Sequence, residues 1–362
     1  MKVIHWNTSK ERQQMSGLKR YEDNLFENLK AIGKDLEIER IQRSESTIFG
    51  SMPFSWLFRY KCKDADIVHA IFQTIAPAVY FRLRKPKRFI VTVFDLAQFA
   101  ESFTNVDLSL RIQSALSPRA LKKADMIITT CEFTKKEIIK HLKYPEEKIR
   151  VVYEGINLEN YKPGIQSEEI IDKYGLPTKQ KKILYVGSED PRKNLHTLIK
   201  AFYKLKKKYG NVKLIKAGTP QWKGAREELM KLIKSLNLEN DIIFTGYVSD
   251  DDLPKLYNAV DLYVSPSILE GGFALPILEA MACGCPMVIS NIPPLVETAG
   301  ADTGVMVNPK DVDGLANAMH EALINEDLRD KMIEKELERA KMFTWEKTAE
   351  GVFKVYEEMM DK

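Results

Sequence analysis

Cysteine is scarce: four residues in 362, at Cys62, Cys131, Cys283 and Cys285, too few and too unevenly spaced for the disulfide framework of a secreted domain. They read as reduced thiols. Cys283 and Cys285 stand close together, but no second cysteine or histidine pair matches them at metal-ligand spacing. The five histidines, His5, His69, His141, His196 and His320, fall in no such spacing either. Long apolar runs are also missing. None approaches the roughly 18 residues that span a bilayer, and Met1–Asn7 is too short for a signal segment, so the chain is expected in the cytoplasm. No Gly-x-Gly-x-x-Gly follows the first apolar run, which speaks against a dinucleotide oxidoreductase. Fixed-period repeats and low-complexity tracts are absent as well, and an apolar fraction of 44% with 29% charged residues excludes disorder.

Three Asp-x-Asp strings occur, at Asp64/Asp66, Asp250/Asp252 and Asp311/Asp313. Each reads as a lead-in to a strand or helix, where aspartate is locally favoured, and no metal site is expected from them.

What is present is a length beyond the roughly 250–300 residues at which a single core stops growing, and hence two domains. Short apolar runs alternate with helical patterns to about position 310, the α/β pattern of parallel strands covered by helices. The first set is Val3–His5, Ile67–Ala70, Phe89–Val93, Met126–Thr129 and Ile149–Val152. The second is Ile183–Val186, Val212–Ile215, Ile242–Phe244, Leu262–Val264 and Met287–Ser290. Two doubly wound, Rossmann-like domains follow. The Pro163-Gly164 turn sits in a segment without apolar pattern, so the domains are placed at 1–165 and 166–344. Residues 345–362 read as a last helix that packs back on the first domain.

Charge is unevenly divided. Residues 1–165 carry 28 basic and 20 acidic side chains, and the remainder 27 and 31. A basic first half suits an anionic partner or membrane surface, or is simply a solvated face. Two aromatic and basic stretches, Met52–Lys63 and Phe81–Phe89, are the candidates for contact with a membrane or a lipid-linked molecule, against packing their aromatics into the domain. Nothing points to nucleic acid.

The strongest signal for chemistry is Ser265-Pro-Ser-Ile-Leu-Glu-Gly-Gly-Phe-Ala-Leu-Pro-Ile-Leu-Glu-Ala-Met-Ala-Cys-Gly-Cys-Pro286, a strand running through a glycine turn into a helix that begins near Ala274 and Leu275. Gly271 and Gly272 permit a sharp turn and close approach of backbone to a ligand, and a helix start presents amide donors to an anion such as a diphosphate. Glu270 and Glu279 are placed to accept hydrogen bonds from sugar and ribose hydroxyls on either side. A second strand-turn-helix, Ile183-Leu-Tyr-Val-Gly-Ser-Glu-Asp-Pro-Arg-Lys-Asn-Leu195, brings Arg192 and Lys193 to a helix start, where fixed positive charge suits bridged phosphates and a departing leaving group.

These segments resemble the retaining glycosyltransferases of family 4, which have the GT-B fold: two Rossmann-like domains facing across a cleft. The family pattern has seven residues between two glutamates; here eight separate Glu270 from Glu279, with Phe273 and Leu275-Pro276 aligned. Either the extra glycine is absorbed by the turn and Glu270 still reaches the sugar, or the register has slipped. The resemblance implies donor contacts from Gly187, Arg192, Lys193, Gly272, Phe273, Ala274, Leu275 and Glu279. It adds Gly246 and Tyr247 in Ile242-Ile-Phe-Thr-Gly-Tyr-Val248 beside the nucleotide base, with core packing the other reading of Tyr247. Gly17, in Ser16-Gly-Leu-Lys-Arg-Tyr21, matches what remains of a glycine pair that approaches donor and acceptor. Val91-Thr-Val-Phe-Asp-Leu96 is similar to the family's His-Asp-Leu strand end, with Phe94 in place of the histidine and Asp95 kept on the acceptor side.

The resemblance implies transfer of a sugar from a nucleoside-diphosphate sugar to a glycan or lipid-linked acceptor, with same-face attack and no cofactor or metal. The rivals are a two-lobed binding protein and a catalytically weak relative acting as a regulatory subunit, kept open by Phe94 and the displaced Glu270.

Overall fold

The structure is a computed structural model that describes residues 1–10, 16–33, 35–43, 64–81, 86–96, 116–220 and 224–361. Cys62 and the aromatic stretch Met52–Lys63 lie outside the described residues, as do residues 82–85 of the second stretch. The chain forms two compact units, Met1–Gly155 with Gly271–Phe273 and Phe343–Lys362, and Ile156–Glu270 with Ala274–Met342. The passage between them falls at Gly155–Ile156, before the Pro163-Gly164 turn.

The first unit is built on six parallel strands, β1 (Lys2–Lys10), β2 (Glu37–Arg43), β3 (Ile67–Ala70), β4 (Arg88–Val93), β5 (Met126–Thr129) and β6 (Ile149–Val151), in the order β2-β1-β3-β4-β5-β6. Side chains alternate between its faces, as the two-residue period of a strand requires. Ile4, Val68, Val91 and Ile127 enter one core, while Val3, Ile67, Ile90 and Ile128 enter the other. The second core is closed by the helices Gly17–Ile32 and Trp345–Met360. On the latter, Trp345, Ala349, Val352 and Tyr356 recur at helical spacing and are all buried. Gly351 lets that helix approach Val152, where an added Cβ would stand 2.9 Å from a methyl carbon.

The second unit has β7 (Lys181–Val186), β8 (Val212–Ala217), β9 (Ile242–Gly246), β10 (Leu262–Ser265), β11 (Met287–Ser290) and β12 (Val305–Val307), parallel in the order β12-β11-β10-β7-β8-β9. Helix Leu195–Tyr209 turns Leu195, Leu198, Ile199, Phe202 and Leu205 onto this sheet. Three lysines close its last turn, where cations suit the helix dipole.

Each sheet thus has six strands where the apolar runs indicate five. The added strands, β2 and β12, are both edges. As an edge strand β2 has only one paired side and carries charge, so it lacks an apolar run, whereas β12 is apolar but only three residues long. In β2 the carboxylates of Glu37 and Glu39 instead receive Lys2 Nζ from the neighbouring strand, at 2.7 and 2.9 Å.

The chain order of strands reverses between β7 and β10 in the second unit and between β1 and β3 in the first. Open α/β sheets bind ligands outside the carboxyl ends of their strands at such reversals. In the second unit this directs attention to the turns after β7 and β10.

Candidate functional site

The turn after β7 begins at Gly187, whose φ of +152° and closeness to its neighbours both favour glycine: a Cβ would stand 2.7 Å from the Tyr185 hydroxyl. Asp190 then caps the short turn Pro191–Lys193, accepting the Arg192 amide at 2.9 Å and its Nε at 3.1 Å. Asn194 donates to the carbonyls of Pro266 and Pro309 at 2.9 and 2.7 Å, fixing the start of helix Leu195–Tyr209. The Arg192 carbonyl accepts the Ile268 amide at 2.9 Å. The turns after β7 and β10 are therefore stitched together by backbone.

The charged groups meet at Glu270. Lys193 Nζ donates to its Oε1 at 2.6 Å, Ser267 Oγ donates to the same oxygen at 2.7 Å, and an Arg192 terminal nitrogen lies 3.9 Å from Oε2. The sequence places Glu270, Arg192 and Lys193 in one site, and the structure brings these three side chains together. Ser267, quoted within the motif, has a role that sequence alone does not assign.

Glu279 lies in helix Leu275–Ala282 and is only 2% exposed. Tyr257 donates to Oε2 at 3.0 Å and Tyr161 to Oε1 at 3.5 Å. Burial, with Glu279 adding to it, holds the Tyr257 hydroxyl well above its ordinary range and so keeps it a donor. Neither tyrosine is signalled by the sequence, because both are remote from Glu279 along the chain. The amide of Ala274 donates to Thr298 Oγ1 at 3.1 Å, so Leu275 stands as the next amide at the head of this helix.

Gly271, Gly272 and Phe273 belong to the first unit. A Cβ on Gly271 would lie 2.1 Å from Asp95 Cβ, and one on Gly272 would lie 2.2 Å from the Phe94 carbonyl oxygen. Thr134 Oγ1 also reaches the Gly271 carbonyl at 2.8 Å. The paired glycines are thus required by the closeness of the Asp95 side chain and the Phe94 backbone. Phe94 turns its ring onto Tyr21, 4.7 Å between centroids and edge-on, and onto Phe72. Phe273 enters an aromatic cluster with Tyr153 and Phe343, at 5.6 and 5.1 Å.

The remaining candidates lie on other elements. Gly246 ends β9 with a φ of +70°, and Tyr247 beyond it is 39% exposed, so the core reading of that ring is corrected. Gly17 is the first residue of helix Gly17–Ile32, directly after the N-cap Ser16, which accepts the Lys19 amide at 3.3 Å. Gly218, which sequence reasoning passed over, ends β8 between Gly187 and Gly246; its signal was the Ala217-Gly218 strand end.

Asp66 accepts the Lys2 amide and Lys87, Asp252 accepts Lys173 and Tyr174, and Asp311 caps helix Val312–Ile324. Among the described residues, no three His, Cys, Asp or Glu side chains converge as a metal-binding group. Within the same residues no helix is long and apolar enough to cross a membrane.

Residues 166–339 match the model "Glycosyl transferases group 1", and residues 37–160 match "Glycosyltransferase Family 4". The O-antigen chain mannosyltransferase B of Escherichia coli is 33% identical over 75% of this chain and 70% of its own length. The D-inositol 3-phosphate glycosyltransferase of Mycolicibacterium smegmatis is 28% identical over 67% of this chain and 55% of its own. Among solved structures, sucrose-phosphate synthase of Thermosynechococcus elongatus superposes with a TM-score of 0.82 at 21% identity, covering 100% of both chains. Anabaena HepE in complex with UDP and glucose gives 0.77 at 18% identity, over 99% of each chain. These two likenesses establish the GT-B fold. Similarity in sequence along most of the chain, joined to that fold, makes this protein a member of the group 1, family 4-type glycosyltransferases.

Proposed function

We propose that the protein transfers a sugar from a nucleoside-diphosphate sugar to an acceptor hydroxyl with retention of anomeric configuration. The observation that carries this reading is the meeting of Lys193, Arg192 and Glu270 at the reversal between β7 and β10, beside the head of helix Leu275–Ala282. Two cations and a helix start suit a diphosphate. A carboxylate beside them suits a sugar that gains positive charge as its leaving group departs.

In the reaction, the bond from the anomeric carbon to the β-phosphate oxygen breaks and its electron pair stays on phosphate. The acceptor oxygen forms its new bond on the same face, and its proton passes to the leaving phosphate. Lys193 and Arg192 stabilise the growing phosphate charge. Glu270 keeps Lys193 in place and faces the sugar. Glu279, held by Tyr257 and Tyr161, serves the ribose side. Tyr247, exposed at the end of β9, serves the base.

The metal-independent character proposed here rests on these cations occupying the position where other transferases use a divalent ion. The similarity to a mannosyltransferase makes mannose the first sugar to test, and a glycan or lipid-linked molecule the first acceptor. The experiment supplies UDP-, GDP- and ADP-linked sugars, then reads product configuration by NMR coupling. A product of inverted configuration overturns retention, and Glu270→Gln turning over at the wild-type rate removes Glu270 from the site.

A further inference from the structure

Behind the candidate site, at the carboxyl ends of β7 and β8, lies a charged cluster that the proposed reaction does not use. The Glu189 side chain is fully buried and Lys216 is 3% exposed, with Lys216 Nζ 3.0 Å from Glu189 Oε1. Arg226 donates through Nε to both Glu189 oxygens at 2.9 Å, and its guanidinium covers Phe244 at 4.3 Å. Arg226 and Lys216 hold the Glu189 carboxyl below the usual range although burial alone would raise it.

Lys216 Nζ also donates to the Gly218 carbonyl at 2.8 Å. Gly218 in turn donates its amide to the Gly246 carbonyl at 2.7 Å, while Gly187 donates to the Ala217 carbonyl at 3.0 Å. A Cβ on Gly218 would stand 2.5 Å from the Gly187 carbonyl oxygen. One ammonium group thus anchors the turn after β8 and, through Glu189, the turn after β7, with the end of β9 bonded to the first of these.

Well-packed apolar side chains would fill this space at no electrostatic cost, whereas an ion pair this deep must offset its desolvation through geometry. Two basic side chains also face one carboxylate. We propose that Lys216, held by Glu189, is a positioning residue for the sugar donor: it fixes the turn Gly187–Lys193 so that its cations meet the diphosphate in one arrangement. The proposal rests on the donor reading given above.

The test compares Lys216→Met, Lys216→Arg and Arg226→Met with the unmodified chain. Calorimetric titrations with UDP, GDP and ADP are read beside donor and acceptor kinetics. Lys216→Met is expected to weaken the nucleoside diphosphate that binds the unmodified chain about tenfold and to raise donor KM by a similar factor. Its kcat and acceptor KM should stay within about threefold, because the contact is equally present before and during transfer. Lys216→Arg keeps a cation and should recover most of the affinity, which a loss of packing alone would not allow. Arg226→Met, at a partly exposed position, should give a weaker effect of the same kind and stands in if Lys216→Met does not fold. Wild-type affinity and KM in both methionine variants, or no recovery in Lys216→Arg, overturns the proposal. An unmodified chain that binds none of the three nucleotides overturns the donor reading as well.

Discussion

In the first unit one group of buried polar side chains is uncharged and bonded to one another; in the second, one group of buried side chains is charged and paired. In the first, Tyr356 of the last helix lies between His5 Nε2 at 2.8 Å and His69 Nδ1 at 2.6 Å, and His69 Nε2 reaches Thr92 Oγ1 at 2.7 Å. His5 Nδ1 has no hydrogen-bond partner among the described residues, so it is the unprotonated nitrogen. The chain of donors then runs from His5 to Tyr356, on to His69 and from there to Thr92. Burial pushes His5 down to about 3 and His69 well below its ordinary value, and both are neutral. In the second unit burial pulls Lys216 below its ordinary range, and Glu189, against its own burial, is held below the usual carboxylate range by Arg226 and Lys216. The difference teaches what each arrangement is for. Neutral networks tie β1, β3 and β4 to the last helix, while paired charges join the turns after β7 and β8, beside the proposed donor site.

This contrast can be broken most directly at Lys193. Lys193→Ala should lower kcat/KM for the donor about tenfold to a hundredfold, the equivalent of about 1.5–3 kcal/mol for a charge-assisted contact, while melting stays near that of the unmodified chain. Unchanged donor kinetics would remove the paired charges of the second unit from the reaction.

Next comes the glycine pair. Gly271→Ala should destabilise the first unit by about 1–3 kcal/mol, since its new Cβ must displace the Asp95 side chain from its root. Combining it with Asp95→Gly, which removes the opposing Cβ, should cost less than the sum of the two single changes, read from denaturant midpoints. Strict additivity would show that the two positions do not touch.

A subtler test uses pH. Burial pushes Glu154 up to about 8 and Glu22 up to about 7, from an ordinary 4.5. The folded chain then keeps protons that the unfolded chain sheds, so these groups stabilise least as pH rises from 4.5 toward 8. The two histidines act in the opposite sense. The unfolded chain takes up protons below 6.5 that the folded one refuses, so stability falls as pH drops below 6.5. Between 4.5 and 6.5 the two limbs oppose each other, and outside that window each acts alone. Glu154→Gln should flatten the fall in melting temperature between pH 6.5 and 8 and leave the acid limb in place. A melting profile unchanged by this substitution would place the alkaline limb elsewhere.

The smallest effect is expected from a chelator. EDTA should change the transfer rate by less than about twofold, since Arg192, Lys193 and a helix start supply the positive charge. Loss of activity that returns on titrating magnesium or manganese would add a metal ion to the second unit's charges.

Along the sequence, the buried strands and the two strand-turn-helix segments were legible because they are local. A strand covered on both faces needs an apolar run, and a turn that leads into a helix beside a ligand needs glycine, a cap and a nearby charge within a dozen or so residues. Glu37–Arg43 was not legible, since this edge strand is held by its one neighbour rather than by its own apolarity, and Val305–Val307 was not, since three apolar residues are too short a run to stand out. Tyr247 could be read either as core or as exposed, because an aromatic residue after a glycine turn has no local preference between them.

By itself the sequence determined the two α/β units, the strand ends proposed to carry the chemistry, and the grouping of Arg192 and Lys193 at a helix start. Tertiary structure alone decided which distant groups meet: Glu270 with Lys193, Glu279 with Tyr161 and Tyr257, Lys216 with Glu189, and Gly271 with Asp95. The physical reason is that parallel strands bring the ends of remote segments side by side, and hydrogen bonds and steric limits act at those distances whatever the separation along the chain.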